Sequence, residues 1–270
     1  MKHYHPTYVR SRRNSILFFD LLTFTFFLLG SILSPIALPG QSFRQTQMRN
    51  SRVRSASLEK NESIKREFQS RSLRFPPDKI FLRVFKEEKS VELWVKKTTS
   101  DSFAFLKQFS ICATSGGPGP KRREGDGQIP EGIYHVESFN PTSRFYLSLR
   151  LNYPNQSDRI FSDRAHPGGD IYIHGSCVTI GCIPIEDAGI KELYLIAMEA
   201  RSRGQAQIPV HIFPCKLDED RWTTLQTEYA DHPGVISFWK NLKSCYEFFQ
   251  RHQTLPTIRV RRDGLYEIVD

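Results

Sequence analysis

Residues 168–182 read GGDIYIHGSCVTIGC, and this short segment decides both the local fold and the chemistry of the chain. The apolar run Ile171–Ile173 predicts a short strand that carries His174 at its end. The glycines that follow predict a tight loop that returns the chain to Cys182. An amphipathic helix is predicted directly afterwards, from about residue 186 to residue 203. The segment therefore predicts a strand, a loop and a helix start that bring a histidine and a cysteine close together.

A cysteine beside a histidine is the pair of residues that thiol catalysis requires. The thiolate is the reactive form, and a free thiol with a pKa of about 8.5 is mostly protonated at neutral pH. A histidine within hydrogen-bond reach removes that proton, so we interpret Cys182 as a nucleophile and His174 as its proton acceptor and donor. A nearby helix start favours the thiolate further. Gly181 lets a substrate carbonyl approach backbone N–H groups that form an oxyanion hole.

Two other interpretations of these residues stay open. A single cysteine or histidine is commonly a packed core residue, although a His-Gly pair followed within one loop by a Gly-Cys pair is harder to explain by packing. His174, Cys177 and Cys182 are also three potential zinc ligands. Because a structural zinc site normally has four ligands and the sequence holds no second cluster, we expect neither a metal nor an organic cofactor.

The chain after residue 75 reads as short strands with a few helices. Ile80–Phe85 and Ser90–Lys97 flank a polar turn, and the alternation of apolar and polar residues in the second run predicts a β-hairpin. Further short apolar runs lie at Phe103–Ala113, Ile133–Phe139, Phe145–Leu151 and Ile208–Phe213. Near the end we expect a helix from about Val235 to Phe249, then strands at Thr257–Arg261 and Leu265–Val269.

These elements predict an α+β fold that is mainly β. We expect a catalytic domain over residues 75–215 and a C-terminal extension over residues 216–270 that packs on it.

The positive charge of the chain lies almost entirely in its N-terminal part. Residues 1–40 carry a net charge of +3 and residues 41–74 carry +6, against +9 for all 270 residues. The remainder is close to neutral, whereas a nucleic-acid-binding domain carries a basic patch on its folded surface. We therefore expect no nucleic-acid partner.

Residues 1–40 have the layout of an export signal. Basic residues that end at Arg12-Arg13 precede an apolar run from Ile16 to about Leu33. The run is long enough to remain as an N-terminal membrane anchor, so a cleaved signal peptide and an anchor both stay open. The arginine pair also permits twin-arginine export. We predict a protein exported to the periplasm or cell envelope.

Residues 41–74 are rich in Arg, Ser and Gln and have few apolar anchors. Leu58, Ile64 and Phe68 line at most one weak helical stripe. We interpret the segment as a basic linker near a membrane surface.

Five cysteines are too few for a disulfide scaffold, and their odd number leaves at least one thiol free if the others pair. Cys177 either packs beneath the catalytic loop or pairs reversibly with Cys182, which would be an oxidative off-switch.

These motifs resemble the signature of the L,D-transpeptidase catalytic domains of the YkuD type. His174-Gly175 followed by Thr179-x-Gly181-Cys182 resembles the catalytic motif of that family. Residues 125–134, GDGQIPEGIY, resemble a family turn usually written with Thr-Pro-x-Gly. Residues 151–155 and 210–214 are similar to segments of the YafK-like murein branch. The resemblance covers residue 75 to the C-terminus.

The resemblance implies a β-sandwich or barrel of the L,D-transpeptidase type and a cysteine acyltransferase acting on peptidoglycan. Cys182 would be the nucleophile, His174 the general base, Gly175 the residue that orients the histidine, and Gly181 part of the oxyanion region. The thiolate would attack the carbonyl of a diaminopimelate-type residue in a stem peptide. A terminal D-amino acid would leave, and the thioester would pass to an amine.

Three features depart from the usual family pattern. Ile180 stands where members usually have a histidine before Gly-Cys, and Pro184 stands where many have Arg or Asn. The loop from His174 to Cys182 is also short. Transfer and hydrolysis therefore both stay open. The implied partners are peptidoglycan stem peptides and an outer-membrane lipoprotein, which transfer would attach and hydrolysis would release.

The residues predicted to contact substrate are Lys121, Arg144, Tyr153, Ser176 and Thr179. Lys121 is predicted to hold a substrate carboxylate, while Arg122 and Arg123 are interpreted as a solvated charge run. Arg144, with Tyr146, is predicted to begin a strand. Tyr153 is predicted to lie in a turn near the cleft.

Two rival hypotheses come from other functional classes. One is a wall-binding module in which the Cys-His motif has no chemical role. The other is a basic-tailed protein that binds nucleic acid or a membrane surface, and the nearly neutral remainder of the chain argues against it.

Overall fold

The computed structural model describes residues 39–269 and builds them around one eight-stranded sheet. Its strands are β1 (Ile80–Phe85), β2 (Ser90–Lys96), β3 (Phe103–Ser110), β4 (Gly132–Asn140), β5 (Ser148–Leu151), β6 (Tyr172–His174), β7 (Ile183–Pro184) and β8 (Ile208–Phe213). Their order across the sheet is β3-β2-β1-β8-β4-β5-β6-β7. Strand β1 is parallel to β8 and β6 is parallel to β7. The predicted export segment, residues 1–40, lies almost wholly outside the described residues.

Helices cover the two faces of this sheet. They are α1 (Pro39–Met48), α2 (Ser51–Ser70), α3 (Gln156–Phe161), α4 (Glu186–Ser202), α5 (Glu219–Glu228) and α6 (Pro233–His252). A small antiparallel pair, β9 (Ile258–Val260) and β10 (Tyr266–Ile268), follows α6. The predicted α+β class is confirmed. Among residues 39–269, no helix is both long enough and apolar enough to cross a membrane.

Strand β1 is buried on both faces, and this separates the two halves of the core. Its residues Ile80, Leu82 and Val84 join a cluster that includes the buried faces of α2 and α4. The alternate residues Phe81 and Phe85 face the other side, where the aromatic residues of α6 pack. Because side chains alternate along a strand, the six residues of β1 pack against helices on both faces of the sheet.

The strongest local patterns are confirmed. Strands β1 and β2 pair as the predicted hairpin, with Ile80 opposite Val95 and Phe85 opposite Ser90. Helix α4 spans Glu186–Ser202 against the predicted residues 186–203. Helix α6 is longer than predicted, because it begins at Pro233 and ends at His252.

The interpretation of residues 41–74 as a linker is wrong. This segment forms most of α1 and all of α2, and both helices contact α4. Val53, Ala56, Ile64 and Phe68 of α2 are buried in the main core, whereas Leu58 is 90% exposed.

Polar residues in the middle of the buried stripe of α2 hide its amphipathic pattern. Ser57 and Lys60 lie between the apolar positions, and the Lys60 ammonium pairs with Glu192 of α4 at 3.3 Å. Arg52 donates to the carbonyls of Ser143 and Tyr146 at 2.6 and 2.7 Å. The basic residues of α2 are therefore partly structural, because they bind acceptors elsewhere in the fold.

A buried ion pair fixes the segment of residues 119–131, which we call the strap. Lys86 Nζ lies 2.9 Å from Glu131 Oε1 and donates to the Gly119 carbonyl at 2.8 Å. Glu131 also accepts the Gly119 N–H at 2.9 Å and the Trp239 indole N–H at 2.6 Å. Both ends of the strap therefore meet at one point, which also anchors α6.

Replacing Phe68 by Ala is expected to lower the free energy of unfolding by about 3–5 kcal/mol, because a fully buried aromatic side chain leaves a cavity. Leu58→Ala on the same helix is the matched control and is expected to change it by less than about 0.5 kcal/mol. Urea denaturation followed by circular dichroism measures both. Equal, small effects would show that α2 does not belong to the core.

Candidate active site

The pairing of β6 with β7 places His174 and Cys182 on the same side of the sheet. Ile173 lies opposite Ile183, and His174 lies opposite Pro184. Cys182 directly precedes β7 and continues this register beside Tyr172. Neighbouring strands lie about 4.8 Å apart, and a strand rises about 3.3 Å per residue. Because Cys182 is two residues away from the position opposite His174, the Cα atoms of the two residues are separated by roughly 8 Å. The strand and loop predicted from the sequence therefore bring the two residues together.

His174 is held as a neutral base. Its Nδ1–H donates to the Gly175 carbonyl at 2.5 Å, so in the neutral ring Nε2 carries the free lone pair. Nε2 is buried, and within residues 39–269 it has no hydrogen-bond partner. Burial lowers the pKa of His174, and the Gly175 carbonyl opposes this only in part. The Phe145 ring lies 4.6 Å from the imidazole and covers it.

Gly175 is required by close packing at the start of α4. A Cβ atom at this position would lie 2.5 Å from Asp187 Oδ1 and 2.8 Å from the Phe145 carbonyl oxygen. The Gly175 N–H donates to Leu147 at 3.2 Å, and Asp187 accepts the Ser176 N–H at 2.8 Å. The carbonyl that fixes the His174 ring is thus itself fixed on both sides.

Cys182 is a half-buried, protonated thiol. Its Sγ donates to the Asp170 carbonyl at 3.4 Å. Burial raises the pKa of Cys182, although a backbone hydrogen bond from Tyr172 and the charge of Lys121 oppose the rise. The start of α4 was expected to favour the thiolate of Cys182, but the raised pKa keeps the resting thiol protonated. A neutral thiol and a neutral imidazole call for proton transfer at the moment of attack.

The thiol lines a cavity of about 490 Å³. Its lining residues are Ser115, Lys121, Glu124, Gly125, Gly127, Gly168, Gly169, Asp170, Ile171, Ile180, Gly181 and Cys182. Three chain segments contribute, namely the strap with its approach, the loop before β6, and the catalytic loop. The cavity is large enough to take an extended peptide.

Thr179 braces the loop that presents Cys182. Its hydroxyl accepts the Gly181 N–H at 3.0 Å and donates to the Cys182 carbonyl at 2.8 Å. Gly181 has a φ of +130°, and a Cβ atom there would lie 2.9 Å from the Gln128 carbonyl oxygen. The Gly181 N–H is therefore occupied. Among residues 39–269, no acceptor takes the Cys182 N–H, which therefore stays available as a donor.

Lys121, which was predicted to hold a substrate carboxylate, lines the cavity and is bound within the strap. Its Nζ donates to Asp126 at 2.7 Å and to the Arg123 carbonyl at 2.9 Å. Burial acts to raise the pKa of Asp126, yet the hydrogen bonds from Lys121 and three backbone N–H groups hold it below its usual value. Two of the three ammonium protons are used, so one remains for a ligand.

Two of the predicted substrate contacts are placed elsewhere. Arg144 is exposed in the turn before β5, and the predicted strand start there is wrong because β5 begins at Ser148. Tyr153 is buried, and its hydroxyl donates to the Pro167 carbonyl at 2.8 Å. Tyr153 therefore holds the loop that leads to Gly168 and is not positioned to contact substrate.

Of the two alternatives left open for Cys177, the pairing with Cys182 is wrong. Cys177 forms a disulfide with Cys112, which follows the end of β3, while Cys182, Cys215 and Cys245 are free. The disulfide ties the catalytic loop to the segment that follows the edge strand β3. It also removes Cys177 from any thiolate ligand set, and no group of three or more potential metal ligands lies within residues 39–269.

Several residues of the site carried no sequence signal. Phe145 covers the imidazole and Asp187 fixes Ser176, yet both belong to segments read only as strand or helix. Asp170 binds Sγ through its backbone carbonyl, which any residue type supplies. Their roles depend on contacts made across the sheet.

Comparison with known proteins gives consistent matches. The YkuD L,D-transpeptidase catalytic domain model matches residues 83–212. YafK of Escherichia coli (strain K12), a provisionally named L,D-transpeptidase, is 33% identical over 183 residues, or 67% of this chain and 70% of YafK.

Among solved structures, the helical cell shape determining protein Pgp2 from Campylobacter jejuni is 17% identical, with a TM-score of 0.41 over 68% of this chain and 73% of Pgp2. L,D-transpeptidase 1 from Mycobacterium tuberculosis is 13% identical, with a TM-score of 0.27 over 50% of this chain and 62% of that protein.

The rate at which iodoacetamide alkylates Cys182 is expected to rise with pH through a midpoint above about 8.5, the ordinary pKa of a cysteine. The reason is that only the thiolate reacts and burial raises the pKa of this thiol. Mass spectrometry of quenched samples gives the rate, with the buried Cys215 and Cys245 as internal controls. A midpoint near pH 7 or below would reveal a thiolate–imidazolium pair instead.

Proposed function

Because the chain belongs to the L,D-transpeptidase family, we propose that it is an exported cysteine enzyme that acts on the stem peptides of peptidoglycan. Cys182 is the nucleophile and His174 the general base. The observation that carries this proposal is the buried, unpartnered Nε2 of His174 on the same side of the sheet as the Cys182 thiol. His211 Nδ1 is also buried without a partner in the part of the chain that the structure describes, so the feature that distinguishes His174 is its place beside Cys182.

In the first step, His174 Nε2 takes the proton from Cys182 Sγ as the sulfur attacks the carbonyl carbon of a diaminopimelate-type residue. The carbonyl oxygen becomes an oxyanion, and the Cys182 N–H donates to it. The C–N bond to the terminal D-amino acid then breaks. The imidazolium returns its proton to the leaving amine, and a thioester remains on Cys182.

The cavity offers complementary charges to a substrate residue that carries both an ammonium and a carboxylate. Lys121 has one unused N–H for the carboxylate, while Glu124 and Asp170 supply carboxylates for the ammonium. The Arg150 guanidinium lies 3.5 Å from the Asp170 carboxylate and partly neutralises its negative charge. This pattern supports a diaminopimelate-type residue as the acyl donor.

The second step depends on the acceptor. An amine attacks the thioester, His174 takes its proton, and the Cys182 thiolate leaves and is reprotonated. A stem-peptide amine gives a cross-link, and the amine of an outer-membrane lipoprotein gives attachment to the wall. Water as acceptor gives a hydrolase that trims stem peptides or releases the lipoprotein.

An oxidising compartment suits this chain. The Cys112–Cys177 disulfide is of the kind that persists outside the cytosol, and the N-terminal sequence has the layout of an export signal or anchor. We propose the periplasm or cell envelope as the site of action, with the N-terminal segment against the membrane.

Incubating the full-length chain with a disaccharide-tetrapeptide is expected to give an acyl adduct on Cys182 with loss of the terminal D-amino acid. Cys182→Ala should give no adduct, and His174→Gln should slow its formation by about 10²–10⁴-fold because the general base is removed. Cys215→Ala, which removes another free thiol, is the matched control and should keep the adduct. Intact-protein mass spectrometry measures all four proteins.

The products separate the two activities. Dimeric muropeptide identifies a transpeptidase, and trimmed monomer alone identifies a hydrolase. A folded protein with a free Cys182 that forms no adduct would contradict the enzyme and favour a wall-binding module.

A further inference from the structure

We propose that a second cavity, on the other side of the strap from Cys182, binds a carboxylate through Arg122. Its volume is about 500 Å³, close to that of the cavity at Cys182. It is lined by Gly119, Pro120, Arg122, Phe161, Gly234, Val235, Ser237, Phe238, Asp263 and Leu265. The ligand class is a small apolar acid such as the end of an alanyl peptide. Naming it as a second stem peptide rests on the proposed function.

The guanidinium of Arg122 is held in place by two aromatic rings. Its central carbon lies 5.2 Å from the ring centroid of Phe161 and 4.8 Å from that of Phe238. The two rings pack edge to face with centroids 5.8 Å apart. These contacts fix an arginine that would otherwise sample many rotamers, so a ligand meets a pre-organised cation.

This cation lacks hydrogen bonds. Within residues 39–269, no acceptor lies within hydrogen-bond distance of its guanidinium, and Nη1 is buried without a partner. The nearest carboxylate, Asp158, is 3.6 Å away and instead accepts the Tyr134 hydroxyl at 3.0 Å and the Asn155 N–H at 3.1 Å. A guanidinium has five N–H donors, and buried donors are normally satisfied. With 28% of its side chain exposed, Arg122 is one of the residues that line the cavity.

The surroundings fit a single negative charge and a small apolar body. The walls from Pro120, Val235 and Leu265 are apolar, and the first turn of α6 contains no acidic residue. The carboxylate of Asp263 is already paired with Arg261. Because Asp158 partly offsets the charge of Arg122, the site suits a monoanionic carboxylate better than a phosphate with a charge near −2. A carboxylate also matches the two-pronged guanidinium edge.

The strap links this cavity to the catalytic one. Lys121 lines the Cys182 cavity and the next residue, Arg122, lines the second. Asp126 holds both, because it accepts from Lys121 Nζ at 2.7 Å and from the Arg122 N–H at 2.8 Å. A ligand on Arg122 therefore lies beside a bound donor peptide, where a neighbouring stem peptide of the same polymer would be held.

The test is titration of the full-length chain with N-acetyl-D-alanine, followed by NMR of the arginine Nε–Hε groups and of the Gly234 and Ser237 amides. N-acetyl-D-alaninamide, which has the same shape without the charge, and inorganic phosphate are the comparison probes. We expect shifts at these groups with N-acetyl-D-alanine alone. Arg122→Gln should weaken binding by about tenfold or more, while the exposed neighbour Arg123→Gln should not change it.

A second variant, Ser237→Trp, fills the cavity from α6 and leaves Arg122 in place. It should also abolish binding, and circular dichroism confirms that each variant is folded. Equal binding of the amide, stronger binding of phosphate, or unchanged binding in Arg122→Gln or Ser237→Trp would each overturn the proposal. Acylation of Cys182 is measured separately. If acylation fails while N-acetyl-D-alanine still binds at Arg122, the carboxylate site stands and the proposed function falls.

Discussion

The buried ion pair between Lys86 and Glu131 is the interaction on which the two cavities depend. Glu131 is fully buried, and its carboxylate is shared between Lys86, the Gly119 N–H and the Trp239 indole. Such a pair is stable only when its remaining donors and acceptors are satisfied, as they are here. It closes the strap at both ends and attaches it to the β1–β2 hairpin and to α6. Without it, neither cavity would keep the wall that the strap provides.

The strap also explains how one chain offers two different sites side by side. The adjacent residues Lys121 and Arg122 line different cavities. Lys121 is neutralised by Asp126 beside the thiol, whereas Arg122 is enclosed by aromatic rings and keeps its donors. Two adjacent basic residues therefore have different surroundings, an ion pair for Lys121 and aromatic rings for Arg122.

Burial sets the resting state of the candidate catalytic pair. It raises the pKa of Cys182 and lowers that of His174, so both groups are neutral before substrate arrives. A neutral thiol is less reactive than a thiolate toward oxidants. The disulfide at Cys177 and the brace from Thr179 hold the loop without using the Cys182 sulfur.

The sequence by itself determined the elements with strong local periodicity and the motif that joins them: the β1–β2 hairpin, helix α4, and the His174–Cys182 loop between β6 and α4. Tertiary structure alone decided the features that depend on residues far apart in the chain. The sequence of α2 predicts a linker because Ser57 and Lys60 interrupt its buried stripe, and the pairing of Lys60 with Glu192 of α4 is a contact that the fold supplies. The run of basic residues predicts a solvated Arg122, because nothing near it in the sequence predicts that Phe161 and Phe238 lie beside its guanidinium. Periodicity reports which face of a segment is apolar, whereas the partner that satisfies a buried charge is supplied by the fold.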